Sequence, residues 1–341
     1  MASVIVVMAG VKSASEIIVP FLLSLFLAII LSPTYNFFNK KGLPDSISLT
    51  LVITIFLILL ALVGKLISSS AQEFNSNIEF YTQQLSGYYT IFVTLASKIG
   101  LEISADEISS LINPKQIMTF SSSILQSIGG MFTNGFVVLF TVIFMLLESN
   151  HFVEKIEFAS RGNNTNSHIK EIASKIKEYM VLKTLISLLT GFIVWIALVL
   201  IGTDYAFLWA VIAFLFNFIP NIGSIIAAVP VVLLTLVQLG SLSAIAVVVV
   251  YTLVNIIIGS VVEPKVMGKG LGLSTLVVFL SLIFWGWLLG IVGMLLSIPL
   301  TIMLKIVLDA NENTKCFGVL LGGSDDVLIK DINFKDRINK L

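Results

Sequence analysis

From Gly270 to Leu304 the chain carries no charged side chain. No water-soluble helix is apolar for so long, and the run exceeds the roughly 20 residues that cross the hydrocarbon core of a bilayer. It is nonetheless studded with Gly286, Gly290, Gly293 and Pro299, and it follows a loop, Glu263-Pro264-Lys265 with Gly268-Lys269, in which lysines sit among glycines. A lipid-buried segment that keeps breakable positions is a candidate for the moving or pore-lining part of a membrane protein.

The rest of the chain agrees. Hydrophobic residues make up 57% and charged residues 12%, where a soluble domain carries about 25% charged. Apolar segments recur near Val4–Val11, Ile17–Leu31, Leu49–Leu66, Met131–Leu147, Leu185–Ile201, Ala206–Val237, Leu242–Val262 and Leu273–Leu304. The expected fold class is all-α: a polytopic integral membrane protein of about eight transmembrane helices, with broken or re-entrant helices in the C-terminal half. The sixth and eighth segments run about 32 residues each, well over one bilayer thickness even when tilted. Each is either one long span or a pair of half-length helices, broken at Pro220–Gly223 and at Gly286–Gly293.

Two connectors are too polar for lipid. In the first, Phe74, Ile78, Tyr81, Leu85, Tyr88, Phe92, Leu95 and Ile99 alternate at spacings of four and three, a heptad seam for helix-on-helix packing. It can pack on its own protomer or on a second copy. In the second, Ile169, Ile172, Ile176 and Met180 line one side of a helix whose other faces carry Lys170, Glu171, Lys175, Lys177 and Glu178. Lys155, Arg161, Lys170, Lys175, Lys177 and Lys183 make this second connector basic, whereas the first holds only Lys98 and Lys115. Positive charge collects on the cytoplasmic side of membrane proteins. The expected organisation is therefore N-terminal transmembrane helices over 1–67, an extracytoplasmic helical connector over 68–130 and a transmembrane helix over 131–148. A cytoplasmic amphipathic connector over 149–183, a C-terminal transport core over 184–308 and a cytoplasmic tail over 309–341 complete it. Both termini are expected inside the cell.

The chemistry available to such a core is neutral. Asn217-Phe218-Ile219-Pro220-Asn221-Ile222-Gly223-Ser224 puts a proline break beside two asparagines. Proline removes a backbone donor, and in lipid the freed carbonyls must be satisfied by protein or by a wet cavity. Discontinuous helices near the midplane are where secondary transporters hold their substrates. The candidate pathway residues are Asn217, Pro220, Asn221, Gly223, Ser224 and Asn255, and the candidate gate loop is Glu263, Pro264, Lys265, Gly268 and Lys269. Gly286, Gly290, Gly293 and Pro299 are candidates for close helix packing or a hinge, since small residues let helix backbones approach. Gly293 with Pro299 faintly echoes Gly223 with Pro230.

Between Ala206 and Val262 there is no charge, so no carboxylate relay is visible at mid-membrane. One cysteine, Cys316, and two histidines, His151 and His168, in a single connector leave no metal-ligand pattern. No P-loop and no nucleophile elbow occur. No catalytic residue, metal or cofactor is expected, and a net charge of zero points to no nucleic-acid partner.

At these same residues the chain resembles a known family. FNFIPNIGSIIAAVP (216–230), VEPKVMGKGLGLSTLVVFLSLIFWGWLLG (262–290) and GMLLSIPLT (293–301) are similar to the autoinducer-2 exporter family of bacterial permeases. The likeness extends to SEIIVPFLLSLFLAIILSP (15–33), FMLLE (144–148), YMVLKTLIS (179–187) and FLWA (207–210). The resemblance implies a multi-pass inner-membrane permease that exports autoinducer-2, a small polyhydroxylated molecule, or a similar small polar metabolite, and that assembles as a homo-oligomer. Some relatives are linked to sodium or lithium exchange against protons, so a cation–proton antiporter is the alternative. A membrane scaffold that moves nothing is a further one. An enzyme is not expected.

Overall fold

The structure, a computed structural model, describes residues 2–98, 135–159, 165–220, 222–267, 273–310 and 314–323, together with Thr119 and Ser123. Every regular element among them is helical. In order they are α1 (Ala2–Ser13), α2 (Ser15–Lys40), α3 (Asp45–Ser76), α4 (Ile78–Lys98), α5 (Gly135–Ala159), α6 (Thr165–Ile201), α7 (Ala206–Phe216), α8 (Gly223–Leu239) and α9 (Ser241–Val254). A π-helix (Asn255–Val262), α10 (Glu263–Met267), α11 (Thr275–Leu295), α12 (Ser297–Ala310) and α13 (Lys315–Leu321) follow.

Five stretches are long and apolar enough to cross a membrane: Ser15–Lys40, Asp45–Ser76, Ser174–Ile201, Ser241–Val266 and Thr275–Leu295. Their outward faces are apolar too. Leu200 is 81% exposed, Leu242 82% and Phe136 71%, and surfaces of this kind are stable only against lipid or other protein. The protein is therefore a polytopic, all-α membrane protein.

The expected separate first span at Val4–Val11 takes a different form. Ala14 donates to the Gly10 carbonyl, and Ile17 and Ile18 donate to that of Ala14. The backbone ladder thus runs through Ala14, and α1 is a bent extension of α2. Its 12 residues reach only about 18 Å. The basic connector is likewise continuous with the next span, since α6 runs 37 residues without a break across the expected boundary at 183.

Contacts at helix ends sort the bundle into two faces. Asn77, after α3, lies against Tyr205, between α6 and α7, so these ends share one face. Ser274 donates its backbone N–H to the Leu321 carbonyl on the other. Lys40, Lys41, Lys175, Lys177 and Lys265 crowd this second face, which the positive-inside rule assigns to the cytoplasm.

The two over-long apolar segments both double back. α7 descends from the outer face to Phe216, and α8 returns beside it from Gly223. Gly223 makes this possible: a Cβ there would lie 1.8 Å from the Phe216 carbonyl oxygen. The second hairpin rises from the cytoplasmic face. α11 reverses at Gly290, whose φ of +68° is costly for any other residue. Past the turn, a Cβ on Gly293 would lie 2.0 Å from the Trp285 carbonyl oxygen, and one on Gly286 would meet the Met294 side chain. The sequence echo between Gly223 and Gly293 is therefore a shared packing role: each lets the returning strand of a helical hairpin press on the carbonyl that ends the outgoing one. Lower down, Trp285 Nε1 donates to Thr301 Oγ1 at 3.0 Å and ties α11 to α12. Thr301→Val is expected to cost about 1 kcal/mol by orphaning that N–H, read as a lowered melting midpoint of the purified protein.

The core forms around these hairpins. One apolar cluster joins Phe74 and Tyr81 to Trp209, Ile212, Leu234 and Val247. Another joins Phe26 of α2 and Met180 of α6 to Leu288, Val292 and Ile302 of the second hairpin. The hairpin tips interlock: Phe218 of the first packs into the second cluster, while Met294 and Leu295 of the second pack against the first. The start of the heptad seam also packs on its own protomer, with Phe74 and Tyr81 buried and stacked at 5.6 Å. Leu85 and the later seam side chains lie outside what the structure describes.

Candidate functional site

The site is built on one face of α6. Lys183, Ser187, Thr190 and Val194 recur at helical spacing along it, and each meets a different partner. Lys183 Nζ donates to Glu263 Oε1 at 2.5 Å, where the π-helix passes into α10. One turn further out, Ser187 Oγ accepts from Asn217 Nδ2 at 2.9 Å. This bond fixes the tip of the first hairpin about 21 Å below the outer end of α6, close to mid-membrane. Close approach there is permitted by Gly191, where a Cβ would sit 3.0 Å from the Ala210 carbonyl oxygen.

One and two turns further along, Thr190 and Val194 join Ala213, Asn217, Ser224, Tyr251, Val254, Asn255 and Gly259 around a small enclosed pocket. The pocket has room for about one water-sized group. Its polar groups are all uncharged. Thr190 Oγ1 donates to the Ile186 carbonyl at 3.0 Å, which leaves its lone pairs free to accept. The Tyr251 hydroxyl is buried and has no hydrogen-bond partner among the described residues. A buried orphan hydroxyl costs free energy unless something binds it, so Tyr251 marks the pocket as a place for a polar ligand. Such a set of donors and acceptors suits hydroxyl or carbonyl groups on a neutral molecule. Among the described residues no cluster of His, Cys, Asp or Glu is arranged to hold a metal ion.

The pocket's inner wall is the π-helix. A turn of this kind widens the backbone and is frequent at functional sites. Here it carries Asn255, whose Oδ1 would be 3.1 Å from a Cβ on Gly259, so the glycine leaves space for the amide.

Of the pathway residues expected from sequence, Asn217, Ser224 and Asn255 line this one pocket. Pro220 is at the hairpin tip, Gly223 closes the hairpin behind it, and Asn221 lies outside the described residues. In the expected gate loop, Glu263 faces Lys183, Pro264 and Lys265 are exposed on α10, and Gly268 and Lys269 lie outside the described residues. Gly286, Gly290 and Gly293 shape the second hairpin, and Pro299 sits in the first turn of α12, where a missing N–H is tolerated. Sequence reasoning missed Thr190, Ser187 and Tyr251 and treated Lys183 as a boundary residue. The signal was present: Tyr251, Asn255, Gly259 and Glu263 repeat every four residues, and Lys183, Ser187 and Gly191 do the same.

At the outer face, a second polar cluster holds the hairpin's entrance. Tyr205 adopts φ +57°, the one described non-glycine residue with positive φ. Phe74 packs edge-on against it, and its hydroxyl lies 3.5 Å from those of Tyr81 and Asn77's amide nitrogen. Burial, then the Tyr205 hydroxyl, pushes the Tyr81 phenol above the usual tyrosine range. Strained residues persist only where the surroundings over-determine them; this one fixes where α7 starts.

Comparison with known proteins gives the family. The profile of the AI-2E family transporter matches residues 1–313. The chain is 43% identical to a putative transport protein of Haemophilus influenzae, over 95% of each chain. It is 37% identical to the AI-2 transport protein TqsA of Escherichia coli K12, over 93% of this chain and 92% of the relative. It is also 37% identical to the putative transport protein YhhT of the same organism, over 94% and 93%.

Proposed function

Since the chain belongs to the AI-2E transporter family and is a multi-pass transport protein of the inner membrane, we propose that its cargo is autoinducer-2 or a similar small polar metabolite, moved outward without chemical change. The observation that carries this reading is the uncharged pocket where the first hairpin's tip meets the π-helix. The pocket as it stands admits one hydroxyl group of a polyhydroxylated cargo, and it supplies amide, hydroxyl and phenol partners without a charge to neutralise. Asn217, Ser224, Tyr251 and Asn255 are the contact residues, with Thr190 behind them and Asn221 as a further amide ligand. Pro220 and Gly223 keep the tip non-helical.

The two hairpins act as opposed gates. The first brings Asn217 and Ser224 into the pocket's lining, and Gly286, Gly290, Gly293 and Pro299 set the shape of the second. Lys183 with Glu263 forms the inner latch, continued by Pro264, Lys265, Gly268 and Lys269. The working unit is a homo-oligomer in the bilayer.

Asn217→Leu tests the site. It removes the amide that faces Ser187 and the pocket while keeping the γ-branched shape of the side chain. Export from cells, and flux into proteoliposomes, should fall at least about tenfold, the scale of one lost polar contact worth about 1.4 kcal/mol. Wild-type flux by a normally folded Asn217→Leu protein would remove the pocket from the pathway.

A further inference from the structure

The pocket does not stand alone. Ser224, Tyr251 and Asn255 also line one end of a longer, open groove between α8 and α9. Away from that end the walls are almost wholly apolar, with Val229 and Val232 on α8 facing Val248 on α9. The groove opens sideways. Ile225 is 61% exposed, Val229 41% and Val248 46%, and α9 belongs to a membrane-crossing stretch. Asn255 lies 14 residues below the outer start of α9, about 21 Å deep, and Val248 about 10 Å deep. The polar end is therefore near mid-membrane, and the apolar trough climbs from it toward the outer leaflet.

We propose that pocket and groove form one site for an uncharged medium-chain amphiphile, with its hydroxyl or amide head at Tyr251 and Asn255 and its alkyl chain between α8 and α9. Three observations select this occupant. The trough is lined like lipid tails yet ends in polar groups, which an ordinary acyl chain would leave unpaired. The Tyr251 hydroxyl is buried without a partner behind that end, so a head group seated at Asn255 gains a hydrogen bond by displacing what covers it. No charge occurs between Ala206 and Val262, so a carboxylate or ammonium head would be stranded in a low-dielectric site. Length is set by the walls. Ser224 to Leu233 on α8 spans about 14 Å, and an extended chain advances about 1.2 Å per bond, giving room for about eleven carbons. The inference rests on the pocket being a ligand site, and it widens the cargo or modulator class beyond small polar metabolites.

The test uses full-length protein in proteoliposomes and N-decanoylethanolamine bearing a diazirine near the chain end. Photolysis should label peptides of α8 and α9. Val229→Trp and Val248→Trp, which fill the trough on its lipid side, should each cut that labelling at least fivefold, and 1-decanol should compete where decanoate does not. Labelling spread evenly over lipid-facing helices such as α3, and unmoved by either tryptophan, overturns the proposal. So does equal groove labelling by a diazirine phospholipid, which would make the trough a plain lipid seat, and so does competition by decanoate. Autoinducer-2 flux, measured in the same vesicles, keeps the two readings apart: missing labelling sinks this proposal whatever the flux, and missing flux sinks the export reading whatever the labelling.

Discussion

Gly223→Ala is expected to prevent the first hairpin from closing. A single methyl group would stand 1.8 Å from the Phe216 carbonyl oxygen, and the obstacle is backbone, which cannot rotate away as a side-chain end would. Overpacking a close contact costs roughly 1–3 kcal/mol where neighbours can shift, so about 3 kcal/mol or more is expected here. Gly293→Ala should behave alike, since its Cβ would be 2.0 Å from the Trp285 carbonyl. The control is Gly87→Ala, a helical position with no heavy atom within 4 Å of the added carbon. That change should be neutral or stabilising by up to about 1 kcal/mol from helix propensity. Melting curves in one detergent, with size-exclusion profiles, separate the cases. If Gly223→Ala melts within a few degrees of the parent, the tight hairpin is wrong.

The other large effect is at Lys183. Its side chain is only 3% accessible and that of Glu263 21%. Removing one partner of a buried ion pair strands the other, at about 3–5 kcal/mol. Because Glu263 keeps some access to solvent, Lys183→Met is expected near the low end, about 3 kcal/mol. Lys183→Met combined with Glu263→Gln should recover most of that loss, because no charge is then left unpaired. A double-mutant cycle that shows additive losses would mean the two residues do not work as a pair.

The sequence made the breakable positions visible because each over-long segment needed a chemical concession. Helices of about 32 apolar residues do not fit a bilayer, and Pro220, Gly223, Gly290 and Gly293 stand at the turns that resolve the excess. It could not say whether those segments were single or doubled, because a glycine in an apolar run is compatible with both. The carbonyl pressed against the missing Cβ is a tertiary fact. The site was half legible for a similar reason. Asn217 and Asn255 stand out as amides in lipid, whereas Ser187, Thr190 and Tyr251 are ordinary residues of apolar helices until the fold brings them to one pocket. The partner of Lys183 lies 80 residues away, beyond any local pattern. The first span failed on another ground: Val4–Val11 is apolar enough, but Ala14 does not break a helix, and nothing between it and Ile17 forces a reversal.

The wide turn at Asn255–Val262 also has a consequence for alignment. A pattern repeating every four residues drifts by about 40° per repeat on an α-helix, so Tyr251 and Glu263, three repeats apart, would point about 120° from each other. The π-helix, bonded i to i+5, winds more slowly and drifts the opposite way. It works as a vernier, bringing phenol, amide, glycine and carboxylate back into phase along one line that faces α6. Deleting a single residue there would leave every one of those side chains in the chain and send the carboxylate to a different neighbour.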